Sequence, residues 1–307
     1  MMHRFLSTVP FDLYELALFY LVVKHGSFTK AAELAGLTQS AITRQIQGVE
    51  SRLGIPLLER TTRQVRVTDG GQFLFREAAR LLGDVEQSLE AVAQQFGGAR
   101  KQIRVGVSRT IGLSYLPGFF HANLRRLPHV GYRVTCQNSA DLLSAVEASE
   151  VDLGVLCPPR RLPKTVRVTH RFEDVFALIV PRDQFADAQG RLKTKSKARL
   201  DWVGAQNWLL IDEQSNTGQR LRAWQRKLGW QIEPTMQLDN FDLIISLVAL
   251  GMGVSMVPVR ALAIYNPRKK IARIPLSKTF SRELVVVVRK HRKLPEHLSQ
   301  FIDNILF

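Results

Sequence analysis

Hydroxyl, guanidinium and amide side chains recur at steps of three, one and three along residues 40–47. On a helix from Gln39 to Leu53 they share one outward side, because apolar residues at steps of four, three and four form a stripe that must be buried. Such side chains offer the donors and acceptors that base edges and phosphates require. The pattern therefore predicts a helix that reads DNA. Its outward residues are Ser40, Thr43, Arg44 and Gln47, and its apolar residues are Ile42, Ile46, Val49 and Leu53.

The residues before this helix indicate how it is positioned. Thr38 can accept hydrogen bonds from the free amides of the first turn, so it is the predicted N-cap. Small residues at 31, 32 and 35 would let a preceding helix cross closely, and Gly36 suits the αL residue that ends that helix. The arrangement predicts a helix-turn-helix. An ordinary amphipathic helical hairpin within a larger domain is the alternative.

A predicted basic wing favours DNA binding over the plain hairpin. Gly54-Ile55-Pro56 breaks the helix, after which Leu57-Leu58 and Val65-Arg66-Val67 can pair across Thr61-Thr62. The ribbon would present arginines that can hold flanking phosphates. With Thr38 and Gln39 at the helix start, these arginines and the four outward residues are the expected DNA contacts. The arginines are Arg60, Arg63 and Arg66.

Residues 12–71 resemble the DNA-binding domain of the LysR-type transcriptional regulators in order, spacing and residue identity. Three departures, Thr43, Val49 and Leu58, keep the chemistry of the usual residue. The resemblance implies a sequence-specific, double-stranded-DNA-binding regulator that is not an enzyme. The matching positions are Phe19, Phe28, Ala31, Ala32, Leu34, Gln39, Ser40, Arg44, Gln45, Ile46, Glu50, Leu53, Gly54, Leu57, Arg60, Thr68 and Gly71.

Composition limits the remaining possibilities. A chain of 307 residues with 45% hydrophobic content can form two or three domains with substantial cores. No secretory leader and no membrane-length apolar run is seen, so a cytoplasmic protein without a membrane partner is expected. The two cysteines, Cys136 and Cys157, have no metal-ligand spacing. Buried, reduced structural thiols are favoured over a redox pair.

The net charge of +16 is concentrated outside the first hundred residues. Residues 1–100 hold 11 basic and 10 acidic residues, whereas residues 101–307 hold 32 and 17. The DNA-binding prediction therefore depends on pattern and local arginines, not on overall charge. Two basic runs, within residues 191–199 and 289–293, favour a solvated surface over a second DNA-contacting patch. A weaker expectation is a potential that favours anionic ligands.

A long helix is predicted from a Thr68 cap to about Phe96. Its continuous apolar stripe needs a partner. A helix of this length is too long to pack along its whole length on a sixty-residue domain, so pairing with a second copy is expected. The family resemblance implies a dimerising linker helix. Two copies, or four in a tetramer, would present recognition helices to a pseudo-palindromic operator. The stripe comprises Leu74, Ala78, Leu81, Val85, Leu89, Val92 and Phe96.

After residue 102 short β-branched runs alternate with helical patterns, which predicts an α/β domain with a mostly parallel sheet. Two lobes joined by two crossings would enclose a cleft. Predicted strands lie at Ile103–Val107, Val130–Cys136, Val151–Leu156, Phe176–Val180, Trp208–Ile211, near Met236, Ile271–Ile274 and Glu283–Val288, and predicted helices at Leu113–Leu127, Asp141–Ser149, Gly218–Leu228, Leu243–Leu250 and Glu296–Leu306.

This region resembles, more loosely, the regulatory domain of the same family, which is similar to periplasmic binding proteins. The expected fold class is α/β overall, with an N-terminal winged helix-turn-helix, a long linker helix and a C-terminal two-lobed periplasmic-binding-protein-like α/β domain. The expected boundaries are 1–68 for DNA binding, 69–98 for the linker and 99–307 for the effector domain. Lobe one would take about 102–179 and 281–307, and lobe two about 180–280.

Polar residues at the ends of strands and starts of helices are the candidate effector contacts. Backbone amides at such places favour anions, so the expected effector is a small and anionic molecule. Each position could equally be a helix cap, and Arg109 could equally form a surface salt bridge. The candidates are Ser108, Arg109, Thr110, Asn138, Thr217, Asn240 and Phe241. Of these, Ser108, Thr110, Asn138, Thr217 and Asn240 match positions where the resemblance implies inducer contacts.

Other chemistry has little support. His291 and His297 do not share a helical face, and Gly251-Met252-Gly253 lacks the rest of a dinucleotide-binding pattern. No metal, cofactor or catalytic residue is predicted. RNA polymerase is a further candidate partner. The alternative from another class is an α/β substrate-binding protein or enzyme whose first hundred residues serve only assembly.

Overall fold

The computed structural model describes residues 10–60, 65–96, 101–111, 113–193, 197–263, 270–276, 280–292 and 294–305. They fall into two compact units, one within residues 1–99 with 147–149 and the other within residues 100–146 and 150–307. The first unit is helical with a small two-stranded wing, and the second is a mixed α/β unit. The predicted α/β fold class is confirmed.

The first unit contains three helices around one small core, followed by the wing and a long helix. Its core includes Leu18, Phe19 and Val22 from the first helix and Ala31 and Ala32 from the second. Its elements are α1 (Leu13–His25), α2 (Phe28–Ala35), α3 (Gln39–Leu53), β1 (Leu58–Arg60), β2 (Val65–Val67) and α4 (Asp69–Phe96).

The turn between α2 and α3 forms as the sequence predicts. Gly36 ends α2 in the left-handed region, at φ 66°, where a residue without a Cβ is not strained. Thr38 is the N-cap of α3, and its Oγ1 accepts a hydrogen bond from the amide of Ala41 at 3.2 Å. The stripe residues Ile42, Ile46 and Val49 are buried, whereas Leu53 is half-buried. The helix bounds agree with the prediction.

The wing is anchored to α3 by the Glu50 carboxylate. Its Oε1 accepts from the backbone amides of Leu57 at 2.8 Å and Leu58 at 3.0 Å. The first wing strand begins at Leu58, one residue later than predicted, and its ladder starts with the pair of Leu58 and Val67. The predicted turn at Thr61-Thr62 lies outside the described residues. Thr68 caps α4, accepting from the amide of Gly71 at 3.0 Å.

The start of the long helix α4 packs on the core of the first unit. Ala78 is buried, and Leu74 and Phe75 pack against the core of the first unit. The rest of the stripe is exposed, with Leu89 at 66% and Phe96 at 78%. A lone helix with such a stripe leaves apolar surface in contact with water.

The second unit has a six-strand path, β10-β6-β11-β5-β3-β4, in which β9 also pairs with β6. The predicted predominance of parallel strands is wrong, because only β3–β4 and β3–β5 are parallel within this sheet. The antiparallel pairs arise from two long strands. The strand β6 runs from one lobe into the other, and β11 runs back beside it in the opposite direction. These strands are β3 (Gln102–Ser108), β4 (Gly131–Gln137), β5 (Leu153–Leu156), β6 (Val166–Pro181), β9 (Ser255–Pro258), β10 (Ile271–Pro275) and β11 (Ser281–Arg289).

Helices and a separate parallel pair complete the two lobes. The pair is β7 (Trp208–Ile211) with β8 (Pro234–Leu238). Here lobe one means β3, β4, β5, α5, α6 and α11, and lobe two means β7 to β10 and α7 to α10, with β6 and β11 crossing between them. The helices are α5 (Leu116–Arg126), α6 (Ser139–Glu147), α7 (Phe185–Lys193), α8 (Lys197–Gly204), α9 (Asn216–Lys227), α10 (Phe241–Ala249) and α11 (Glu296–Asp303).

Several element bounds differ from the predictions. A 3₁₀ turn at Leu113–Tyr115 precedes α5, so the α-helix proper begins at Leu116 with Pro117 in its first turn. The first half of β6 and the helices α7 and α8 were not predicted. Both helices carry exposed basic residues from the run at 191–199 and have only a few buried apolar residues. The helical spacing of apolar residues is therefore hard to see in the sequence.

A buried ionic cluster fastens β3 to the loop before β5. Asp152 accepts from the amide of Arg104 at 2.7 Å and lies 2.7 Å from Arg292 Nη1 and 3.2 Å from Arg104 Nη2. Burial alone would raise the pKa of Asp152, but Arg292 and Arg104 outweigh that effect and hold the pKa below its ordinary value of 3.8.

Asp152→Asn is expected to destabilise the protein by about 2–3 kcal/mol at pH 7, since both arginines lose a buried partner. Because the folded-state pKa is depressed, the carboxylate's contribution is complete above pH 3.8 and is lost as the pH falls through the lower folded value. Urea unfolding should therefore show a constant difference from wild type between pH 7 and 5 that shrinks in stronger acid. Asp187→Asn, at the exposed pair with Arg191, is the control and should change stability little. A difference that grows towards low pH would contradict the assignment.

Candidate DNA interface and ligand cavity

The outward side of α3 is a polar surface. Gln39, Ser40, Arg44 and Gln47 are exposed, while Thr43 is half-buried. Thr38 lies beside them, with its Oγ1 3.1 Å from Ser40 Oγ. The opposite side of the helix is buried in the core of the first unit, so these side chains face away from it. The helix can offer hydroxyl, amide and guanidinium groups to base edges and phosphates together.

The wing adds one described cation near this surface. Arg66 is exposed on β2, and its Nε lies 3.9 Å from Glu59 Oε2, a distance at which an exposed pair is weak. The Arg60 side chain and the whole of Arg63 lie outside the described residues. Of the three arginines predicted for the wing, Arg66 is the one whose side chain the structure describes.

The second unit encloses a cavity of about 360 Å³ between its lobes. It lies where β3 and β4 end and where α6 and α9 begin, so backbone amides at two helix starts border it. The volume suits a small molecule. The lining residues are Ser108, Arg109, Thr110, Asn138, Ser139, Ala140, Leu143, Pro159, Asp212, Gln214, Ser215, Asn216 and Asp239.

Four of the seven predicted effector residues line this cavity: Ser108, Arg109, Thr110 and Asn138. Asn138 is also a cap, because its Oδ1 accepts from the amides of Ala140 and Asp141.

The other three predicted residues are not among those that line the cavity. Asn240 is the N-cap of α10, and its Oδ1 accepts from the amide of Leu243 at 2.8 Å. Phe241 is buried and meets Phe176 edge-on, at 5.8 Å between ring centroids. Thr217 is buried and donates to Thr110 Oγ1 at 3.4 Å, which links the two lobes.

Arg109 forms an ion pair between the lobes. Its Nη1 lies 3.1 Å from Asp239 Oδ2, and both side chains are half exposed. Arg109 follows β3 in lobe one, and Asp239 follows β8 in lobe two. The surface salt bridge, which was the alternative to an effector contact for Arg109, is therefore present. Its partner Asp239 is also part of the cavity wall.

A buried guanidinium, that of Arg282, lies at the crossing strands. It donates through Nε to Asp174 Oδ2 at 2.8 Å, through Nη1 to Thr217 Oγ1 at 2.8 Å and through Nη2 to the carbonyl of Thr110 at 2.9 Å. Tyr115 also donates to Asp174 Oδ2, at 2.6 Å. Arg282 thus holds one residue from each lobe and ties both to β6.

The surroundings keep Arg282 and Tyr115 protonated. Burial alone would lower the pKa of Arg282, but the Asp174 carboxylate outweighs it and raises the pKa above the ordinary value. Burial raises the pKa of Tyr115, so its hydroxyl stays a donor. Phe176 and Phe241 lie 5.6 and 5.4 Å from the guanidinium carbon, measured to their ring centroids. Arg282 therefore remains charged.

Sequence reasoning missed Arg282, Asp174 and Asp212. Arg282 directly precedes a predicted strand, and Glu283 separates it from the apolar run that begins at Leu284, so nothing local marks it as buried. Asp212 directly follows the strand β7, and Ser108 is the last residue of β3, so the rule that ligands meet strand ends could have found Asp212 as well.

The two cysteines occupy different environments. Cys157 is buried, as predicted, but Cys136 is exposed on β4, and the expectation of a buried thiol there is wrong. The strand β4 is at the edge of the sheet, and each of its residues is exposed or partly buried, so the core does not enclose a thiol there. Partial burial raises the pKa of Cys136, which disfavours the reactive thiolate. Within the described ranges, no three His, Cys, Asp or Glu side chains converge as a metal site would require.

Two family models match the chain over most of its length. The one described as LysR substrate binding domain matches residues 96–306, and the one described as bacterial regulatory helix-turn-helix protein, lysR family, matches residues 13–72. The chain belongs to the LysR family. This LysR-type protein is a DNA-binding transcriptional regulator with a substrate-binding domain, and α3 is the second helix of its helix-turn-helix.

Individual relatives of this LysR-family chain cover nearly its whole length. A probable RuBisCO transcriptional regulator of Cyanidioschyzon merolae is 26% identical over 263 residues, spanning 84% of this chain and 85% of that protein. A full-length OxyR variant from Pseudomonas aeruginosa aligns with a TM-score of 0.68 at 20% identity, covering 96% of this chain and 94% of that one. Full-length CbnR complexed with its target DNA aligns with a TM-score of 0.64 at 21% identity, covering 96% and 99%. These structures share the fold.

Across the part of the LysR-family chain that the structure describes, no helix is both long and apolar enough to cross a bilayer.

Proposed function

We propose that this LysR-family regulator responds to a small carboxylate that binds in the cavity between its lobes. The observation that carries the proposal is the Arg109–Asp239 pair in the cavity wall, which spans the two lobes. An incoming carboxylate can take the place of Asp239 on the guanidinium. Binding of the effector would then replace the Arg109–Asp239 ion pair between the lobes with an ion pair between Arg109 and the effector.

The energetics favour such an exchange. A half-exposed ion pair contributes only about 0–1 kcal/mol, so releasing Asp239 costs little. A bound carboxylate can form charge-assisted hydrogen bonds with Arg109 and with amides at the starts of α6 and α9. The hydroxyls of Ser108 and Thr110 lie in the same wall and offer further donors.

Ligand affinity in Arg109 and Asp239 variants tests this proposal. In a thermal-shift screen of small carboxylates on the full chain, Arg109→Gln should weaken a hit by about tenfold or more, because a charged hydrogen bond is lost. Asp239→Asn should strengthen the same hit by about two- to fivefold, because Arg109 is released. Asp187→Asn, in a comparable exposed pair outside the cavity, should change nothing. Equal affinity in all variants, or hits confined to neutral compounds, would contradict the proposal.

The contacts to DNA are the second part of the proposal. We infer that Thr38, Gln39, Ser40, Thr43, Arg44 and Gln47 read one half-site, while Arg66, with Arg60 and Arg63, holds the flanking phosphates. The exposure of the outward side of α3 supports this assignment, as does a shared fold with CbnR, which was solved with its target DNA. This role requires a cytoplasmic protein that works with RNA polymerase and has no catalytic chemistry.

We further propose that α4 pairs with α4 of a second copy, giving a dimer, or a tetramer if dimers pair, on a pseudo-palindromic operator. The exposed stripe ending at Leu89, Val92 and Phe96 supports the pairing.

Leu89→Asp places a charge in this stripe and should convert the oligomer largely to a smaller species in sedimentation equilibrium, because an unpaired charge is disfavoured in an apolar interface. Ala91→Asp adds the same charge on an exposed residue away from the stripe and is the control. Unchanged mass for Leu89→Asp would exclude this interface.

A further inference from the structure

Lobe two holds a second cavity, of about 1040 Å³, that shares no lining residue with the cavity between the lobes. Its walls come from the end of α8, the start of β7, α9 and the loop that follows α9, and Arg160 joins them from the loop between β5 and β6. Trp208, Gln225 and Trp230 contribute its aromatic and amide surface, and Arg160 and Arg226 contribute cations.

Two residues that line this cavity carry three buried polar atoms without a hydrogen-bond partner among the described residues. They are Oε1 and Nε2 of Gln225 and Nε1 of Trp230. Gln225 is 2% exposed and Trp230 is 6% exposed, so bulk water does not replace the missing partners. The neighbouring Trp208 differs, because its Nε1 donates to the carbonyl of Val203 at 2.8 Å. Buried polar groups are almost always paired, so an unpaired amide and indole at one cavity indicate a ligand that pairs them.

The arrangement of these atoms defines the ligand chemistry. A glutamine amide presents one donor and one acceptor side by side, which matches the N–H and C=O edge of a cyclic amide. The indole N–H offers a further donor to a second carbonyl. The rings of Trp208 and Trp230, with centroids 5.9 Å apart, provide apolar surface for a flat molecule.

Charges at the rim add a preference for an anion. Arg222 is occupied, since its Nε lies 2.9 Å from Glu213 Oε2 and its Nη1 donates to the carbonyl of Ile232. Among the described residues, the polar contact of the Arg226 guanidinium is a long one, 3.5 Å from its Nε to the carbonyl of Arg222. Arg226 can therefore turn its guanidinium towards a carboxylate on a ligand. We propose that this cavity is a second small-molecule site, for a cyclic amide that carries a carboxylate.

The first experiment needs no ligand. Gln225→Met keeps the side-chain length and removes the unpaired amide, so it should raise the Tm of the free full-length protein by about 2–4 °C. Gln300→Met, at an exposed glutamine that donates to Glu296, is the matched control and should give no rise. A lower Tm for Gln225→Met would show that the amide is already paired in the free protein, and would overturn the proposal.

The second experiment uses three cyclic amide carboxylates as probes: orotate, 6-hydroxynicotinate and pyroglutamate. The four tryptophans are labelled with 5-fluorotryptophan, and the fluorine resonance of Trp230 is identified by its absence from Trp230→Phe. At least one probe should shift that resonance saturably, with a dissociation constant on the order of 0.1–1 mM.

Variants decide whether the shift arises at this site. Gln225→Met should weaken the response by about tenfold, and Arg226→Gln should weaken it as well. Thr110→Val, in the cavity between the lobes, should leave it unchanged, which separates this proposal from the effector proposal. No saturable shift with any probe, or an equal shift in Gln225→Met, would overturn the assignment.

Discussion

Arg44→Ala is expected to lower the affinity for a specific operator by about 10- to 100-fold, because one bidentate contact to a base or phosphate is worth about 1–3 kcal/mol. Arg44 is exposed on the outward side of α3, whose opposite side is buried. Removing its side chain therefore leaves the core of the first unit intact. Fluorescence anisotropy with operator and scrambled duplexes measures the loss, and thermal unfolding should be unchanged.

Further variants separate base reading from charge. Arg44→Lys keeps the positive charge but loses the planar fork, so it should retain binding to the scrambled duplex while losing discrimination. Arg171→Ala removes an exposed arginine from the second unit, where it pairs with Glu283, and should leave operator binding unchanged. If Arg44→Ala discriminates operator from scrambled DNA as well as wild type does, α3 is not the reading helix.

Arg282→Met is expected to destabilise the protein by about 3–5 kcal/mol, which is the largest stability effect we predict. The substitution leaves Asp174 as a buried charge that has lost its 2.8 Å partner. It also removes donors to Thr217 and to the carbonyl of Thr110. Chemical unfolding of the full chain at neutral pH gives the magnitude.

A double-mutant cycle isolates the ion pair from lost packing. Adding Asp174→Leu to Arg282→Met should restore part of the stability, because the uncompensated charge is then absent. Arg171→Met, at the exposed pair with Glu283 on the same two strands, is the control and should cost less than about 1 kcal/mol. Simple additivity of Asp174→Leu and Arg282→Met would show that the pair is not coupled.

The residues at the crossing also bear on how the lobes communicate. Arg282 binds Thr110 of lobe one and Thr217 of lobe two, and Thr110 itself lines the cavity between the lobes. A change at Thr110 in the cavity wall is therefore one hydrogen bond away from Arg282 on β11 and two away from Asp174 on β6, the two strands that cross between the lobes. The proposed effector site and the crossing form one connected network.

The helix-turn-helix could be predicted because its signals are local. The bounds of α3, the cap at Thr38 and the left-handed Gly36 each depend on a few neighbouring residues and on the helical period. The cavity could be predicted in part, since Ser108, Thr110 and Asn138 lie at or just after the ends of strands that must meet at one edge of a sheet. Phe241 could not be assigned in this way, because its burial depends on Phe176 and Arg282, which are distant in sequence.

By itself, the sequence determined the DNA-binding helix, its turn and the unpartnered stripe of α4. Helical periodicity and capping depend on residues that are close together along the chain. Only the tertiary structure decided that Arg282 is buried, that Cys136 is exposed and that β11 runs antiparallel between β5 and β6. Whether a strand residue meets core or solvent depends on what covers each face of the sheet. Those covering elements lie far away along the chain, so only folding brings them together.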